Sequence, residues 1–91
     1  MANVSMGMNP DEVEGLGNKL KAASDQINAI VAQLTNQVGT TSWVGHDATQ
    51  FKQTVWPQHR QHLTTVANEL SAFATTARAN ATAQRDISSR L

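Results

Sequence analysis

Gly39-Thr40-Thr41-Ser42-Trp43-Val44-Gly45-His46 is the stretch whose reading decides the fold, because it interrupts two long segments of helical apolar spacing with polar and turn-forming residues. Before it, Val13, Leu16, Leu20, Ala23, Ile27, Ile30 and Leu34 recur in alternating steps of three and four, and Val38 closes the series. This is the stripe of an amphipathic helix, widened by Val31 and Ala32. After it, Ala48, Phe51 and Val55, then Leu63, Val66, Leu70, Phe73 and Ala77, resume the pattern. Two helices joined by so short a connection fold back on each other as an antiparallel hairpin.

The helix ends are written locally. Asn9 is placed to cap a helix, Pro10 suits its first position, and Glu12 stands three residues after the cap, as in a capping box. Helix 1 is therefore expected over about residues 10–38. Asp11, Glu12 and Glu14 lie at its positive end, and Gly39 is placed to form a left-handed C-terminal cap. Gly15 and Gly17 oppose the helix, each by about 1 kcal/mol relative to Ala, and read as a weak or closely packed first part. Helix 2 is expected over about 47–86, with Arg78, Arg85 and Arg90 toward its negative end. Pro57 removes the amide that would meet the Gln53 carbonyl, at about 3 kcal/mol. A kink near Gln53–Trp56 is the expected result. The apolar steps also slip there, from Val55 through His59 to Leu63. The whole chain, 1–91, reads as a single domain, with the connection at 39–46 and flexible termini at 1–8 and 87–91.

Composition excludes most chemistries. Seven Lys and Arg balance seven Asp and Glu, so there is no basic field for nucleic acid or anionic lipid. Without cysteine there is neither a disulfide staple nor a thiolate ligand. Met1–Met8 lacks the charged and apolar regions of a Sec-type signal peptide, and no apolar window reaches membrane-spanning length, so export would need another route. His59 and His62 stand three apart and His46 lies upstream, but no His-Glu-x-x-His pattern supports a zinc site. No nucleophile elbow, phosphate loop or carboxylate pair occurs either. The expectation is a non-enzymatic chain with no cofactor and no metal.

Helices of about 29 and 40 residues span about 43 and 60 Å, and a pair alone shares one seam and leaves much apolar edge uncovered. A second hairpin completing an elongated four-helix bundle is the economical solution. The expected hairpin and dimer core is Val13, Leu16, Leu20, Ile27, Ile30, Val31, Leu34, Val38, Phe51, Val55, Leu63, Val66, Leu70 and Phe73. Trp56, beside Pro57 and one position off the stripe, is a candidate partner contact. Trp43 and Gly45 are the turn motif: Gly45 allows a positive φ or close backbone approach, and Trp43 has a large apolar surface with one N–H. Trp43 acts either as a staple on the two helix ends or, in addition, as a docking edge.

Two amphipathic helices, Trp43-Val44-Gly45 between them, then Asp47-Ala48, Phe51 and Trp56, resemble over nearly the whole chain the WXG family of type VII secretion substrates, the early-secreted-antigen-like proteins. The resemblance implies a helical hairpin that pairs head to tail as a homodimer or a heterodimer with a similar hairpin. It also implies export from a Gram-positive-type bacterium through an ATP-driven type VII machine, with Trp43 and Gly45 as a contact for its ATPase, and a role as effector, adaptor or co-secreted partner. Substrates of that system often carry Tyr-x-x-x-Asp/Glu beyond the second helix. This chain has no tyrosine, and Thr82 stands four residues before Asp86. A partner chain, further residues or another determinant would then supply the signal. Competing readings are a hairpin that perturbs bilayers at low pH, against which the modest hydropathy and neutral charge argue, and a purely structural helical assembly module.

Overall fold

The computed structural model describes residues 7–90. Helix α1 spans Pro10–Thr40, α2 spans His46–Gln50, a π-helical turn follows over Phe51–Val55, and α3 spans Trp56–Ser89. Among the described residues there is no strand. The molecule measures 68 × 16 × 13 Å with a radius of gyration of 20.1 Å, where a compact chain of this length would have about 12 Å. Such a rod has a seam rather than a central core. No helix of the described residues is long and apolar enough to cross a membrane.

Asn9 starts α1 by accepting hydrogen bonds at Oδ1 from the amides of Asp11 (3.0 Å) and Glu12 (3.2 Å), satisfying two of the donors every helix start leaves open. At the other end the expected glycine cap does not form. Gly39 stays helical and α1 continues to Thr40, because threonine hydroxyls satisfy the last carbonyls. Thr40 donates to the Asn36 carbonyl at 3.0 Å, and Thr41 caps the Gln37 carbonyl with both its amide and its hydroxyl. The connection shortens to 41–45 accordingly. The second helical stretch likewise continues to Ser89, so Ile87–Ser89, expected to be flexible, are helical; residues 1–6 and 91 of the expected flexible termini lie outside the described residues.

Contacts between α1 and α3 descend along one helix as they ascend along the other, which makes the pair antiparallel. Gly17 lies against Ala74, Ser24 Oγ donates to the Ala67 carbonyl at 2.7 Å, and Trp56 Nε1 donates to Thr35 Oγ1 at 3.2 Å. The buried positions recur every seven residues, as Gly17, Ser24 and Val31 on α1 and as Ala67, Ala74 and Ala81 on α3. This seam is rotated from the expected one. Its small side chains let the backbones approach closely, as a Cβ added at Gly17 would stand 3.1 Å from the Ala74 carbonyl oxygen. Val13, Leu20, Ile27, Val38, Leu63 and Leu70 flank the seam half-buried, while Leu16, Ile30, Leu34, Val66 and Phe73 lie outside it. Those five are therefore not packed between the two helices.

Where the irregularity before Pro57 was expected, the helix widens into a π-turn. The Trp56 amide donates to the Phe51 carbonyl, five residues back, and regular α-helix resumes with Pro57 at its second position. A π-turn accommodates one extra residue. Ala48 and Trp56, eight apart, therefore fall on the same buried side, where an unbroken helix would rotate them about 80° apart. The extra residue absorbs the slip visible in the apolar spacing.

Candidate interaction surface: the turn and the apolar face

At the turn, Gly45 has φ +116° and ψ 178°, a region essentially restricted to glycine. It reverses the chain and caps α2, its carbonyl accepting from the Thr49 amide at 3.0 Å. The Trp43 ring packs tilted on Phe51, with centroids 5.8 Å apart and 47° between planes. Trp43 remains 44 % exposed and Val44 91 % exposed. One part of Trp43 thus staples the turn and another faces solvent.

Lys52 completes this end. Its Nζ donates to the carbonyls of Thr41 (3.1 Å) and Trp43 (3.3 Å), tying the connection to the π-turn. Leu34, Gln37, Val38, Thr41, Trp43, Phe51 and Lys52 enclose an open, mainly apolar cavity of about 270 Å³. Sequence reading placed Phe51 in the core, and it forms one wall; it singled out neither Lys52 nor the cavity, because a lysine reaching back nine and eleven residues to carbonyls leaves no periodic or motif signature.

Trp56, expected as a partner contact, is only 9 % exposed and donates its indole N–H to Thr35. The π-turn rotates it inward, so Trp56 belongs to the seam. Val55 is half-buried beside it.

The large apolar side chains outside the seam share one face. On both helices, residues three after and one before each buried seam position lie on one flank: Leu16, Leu20, Ala23, Ile27, Ile30 and Leu34 on α1, and Val66, Leu70, Phe73 and Ala77 on α3, with Asn80 and Gln84 toward its end. Residues four after lie on the other flank: Lys21, Asn28 and Thr35, and Ser71, Arg78 and Arg85. For antiparallel helices facing through their seams, corresponding flanks fall on the same side of the pair. One side is therefore mostly apolar, with Phe73 62 % exposed at its surface, and the other is polar. On the polar side Arg85 donates to Asp11 (2.7 Å) and to both carboxylate oxygens of Glu14 (3.1 and 3.2 Å), joining the far ends of α1 and α3. These hydrogen bonds, first to Asp11 and then to Glu14, raise the Arg85 pKa further.

No family model, no curated protein and no solved structure matches the chain. Among the described residues no three His, Asp or Glu side chains gather as a metal site, and His46, His59 and His62 are each exposed.

Proposed function

We propose that this chain is a non-enzymatic protein–protein interaction module of the WXG type, pairing with a second helical hairpin into an elongated four-helix bundle and exported by a type VII secretion system. In this reading the pair acts as an effector, adaptor or co-secreted partner, and the Trp43 end meets the secretion ATPase. The observation that carries the proposal is the apolar side of the rod, where Leu16, Ile30, Leu34, Val66 and Phe73 are exposed together. Single exposed apolar residues are ordinary, but a contiguous apolar face marks a binding surface. A 68 by 16 Å side outlines about 1100 Å², against the roughly 800 Å² per partner of a standard interface. The side is thus comparable in outline with a standard interface. The exposed part of Trp43, at the turn end of the rod, supports the docking role, and the resemblance in sequence supplies the secretion pathway.

Light scattering at micromolar concentration tests the pairing: the chain should run as a dimer, alone or with a similar hairpin co-expressed from the same cell. Phe73→Asp should yield a monomer that keeps its helices. A chain that stays monomeric alone and in lysate of the producing cell refutes the pairing. In that cell, Trp43→Ala should block export while leaving helicity intact; export at the normal level would remove Trp43 from the docking role. Leakage of liposomes at acid pH would instead favour the bilayer-perturbing reading.

A further inference from the structure

We infer that the cavity at the turn receives an acidic segment of a partner protein, seating one bulky apolar side chain and pairing an adjacent carboxylate with Lys52. The inference rests on the docking role of the Trp43 end and names the chemistry of what docks there. Its walls, Leu34, Val38, Trp43 and Phe51, are apolar, and Lys52 is the one charged group among the lining residues. Lys52 is half-buried, and among the described residues no carboxylate lies within ion-pair distance of it.

The ammonium is also positioned in advance. An ammonium has three N–H donors, and two are taken by the Thr41 and Trp43 carbonyls. These two bonds hold the long side chain against the cavity, so a ligand need not immobilise it, and the third donor is left for an acceptor. A fixed cation without a counter-ion on an apolar wall favours an anion over a neutral group, because a charge-assisted hydrogen bond is about twice as strong as a neutral one. The volume of about 270 Å³ accommodates one aromatic or branched side chain rather than a whole drug-sized molecule. Trp43 and Phe51 provide the ring faces and edges against which such an anchor packs. The site is thus shaped for one side chain and one carboxylate.

The test uses the full-length, isotope-labelled chain and two blocked dipeptides, acetyl-Phe-Asp-amide and its neutral counterpart acetyl-Phe-Asn-amide. Indole N–H resonances report site by site, Trp43 at the cavity and Trp56 in the seam. The acidic probe should shift the Trp43 signal saturably and leave Trp56 in place, binding about fivefold or more tightly than the neutral probe. Lys52→Gln should erase that ratio without weakening the neutral probe, and Lys52→Arg should largely keep it, which separates lost charge from a loosened turn. Equal binding of the two probes, a response at Trp56 instead of Trp43, or no saturable shift would overturn the inference. Light scattering on the same samples separates the outcomes: lost probe selectivity in a chain that still pairs overturns only the chemistry assigned to the cavity. A chain that binds the acidic probe yet never pairs overturns the dimer reading instead.

Discussion

Two glycines six to eight residues into α1 provide an internal comparison of how closely the helices approach. At Gly15 an added Cβ would meet nothing within 4 Å, so Gly15→Ala should gain the full helix-propensity difference of about 1 kcal/mol. In a domain of this size that raises Tm by about 4–8 °C. Gly17→Ala gains the same propensity but places its Cβ 3.0 Å from Arg78 Cγ, 3.1 Å from the Ala74 carbonyl oxygen and 3.4 Å from Ala77 Cβ. The arginine stem can swing aside; the carbonyl belongs to α3 and cannot move alone. Even close Cα–H···O contacts normally lie at about 3.3–3.6 Å, so α1 has to back away by a few tenths of an ångström. That movement strains the 2.7 Å bond from Ser24 to Ala67 one heptad further on. Overpacking of this kind costs about 1–3 kcal/mol, which cancels or exceeds the gain. Gly17→Ala should therefore be no more stable than the parent, and about 1–3 kcal/mol less stable than Gly15→Ala by the same terms. Thermal and urea unfolding followed by helical circular dichroism measure the gap. Repeating them over a range of concentrations removes any contribution from association. If Gly17→Ala stabilises as much as Gly15→Ala, the close small-residue seam is wrong.

Three further outcomes follow from the turn and the open end. Gly45→Ala should destabilise by about 1–3 kcal/mol through backbone strain, since its Cβ would meet no atom within 4 Å; an unchanged urea midpoint would contradict the positive φ. The two tryptophans should separate optically: Trp43→Phe leaves a blue-shifted emission from buried Trp56 that acrylamide quenches poorly, whereas Trp56→Phe leaves a readily quenched one, and the reverse order would invert their assignments. Arg85→Ala should speed amide exchange at Asp11–Glu14 and Arg85–Ser89 at low salt, and the difference should fade at about 1 M salt, as expected for exposed ion pairs. The raised Arg85 pKa contributes stability that is present below the unfolded value and lost only in strongly alkaline solution, as pH rises through the still higher folded value; that shift gives no pH dependence near neutrality.

The all-helical, two-segment plan was legible because its signals are local. Asn9 caps α1 through the amides next to it, and the polar Thr40-Thr41-Ser42 run with Gly45 breaks the chain where the helices change over. Apolar periodicity weights residues by size and hydropathy, and so groups Leu16, Ile30, Val66 and Phe73 with the seam residues in one hairpin-and-dimer stripe, without telling which of them pack within the pair. Packing between these two helices favours small side chains over much of the seam. Gly17, Ser24, Ala67, Ala74 and Ala81 let the axes draw together, and the Ser24 hydroxyl, polar by composition, is satisfied by a carbonyl 43 residues away. Pro57 marks the irregularity in the sequence, but seeing that it takes the form of a π-turn which keeps Trp56 in the seam requires knowing what lies across from it.

The same division of residues bears on function. A two-helix rod could bury its largest apolar side chains between its helices, and this one instead fills much of that space with glycine, serine and alanine, beside Val31 and Trp56, and leaves Phe73 62 % exposed. Fully burying a Leu- or Phe-sized side chain contributes about 1.5–3 kcal/mol. Five such groups, Leu16, Ile30, Leu34, Val66 and Phe73, stay 38–62 % exposed and so leave about half of that contribution unrealised in a 91-residue chain. Marginally stable domains of this length have little to forgo. The arrangement is physically economical if a partner covers that side, and the polar flank, held by Arg85, then stays in solvent. On this argument the small-residue seam and the exposed face are two consequences of one sequence pattern, and a variant that moves bulk inward, such as Ala74→Leu, should weaken the helix pair without strengthening any partner contact.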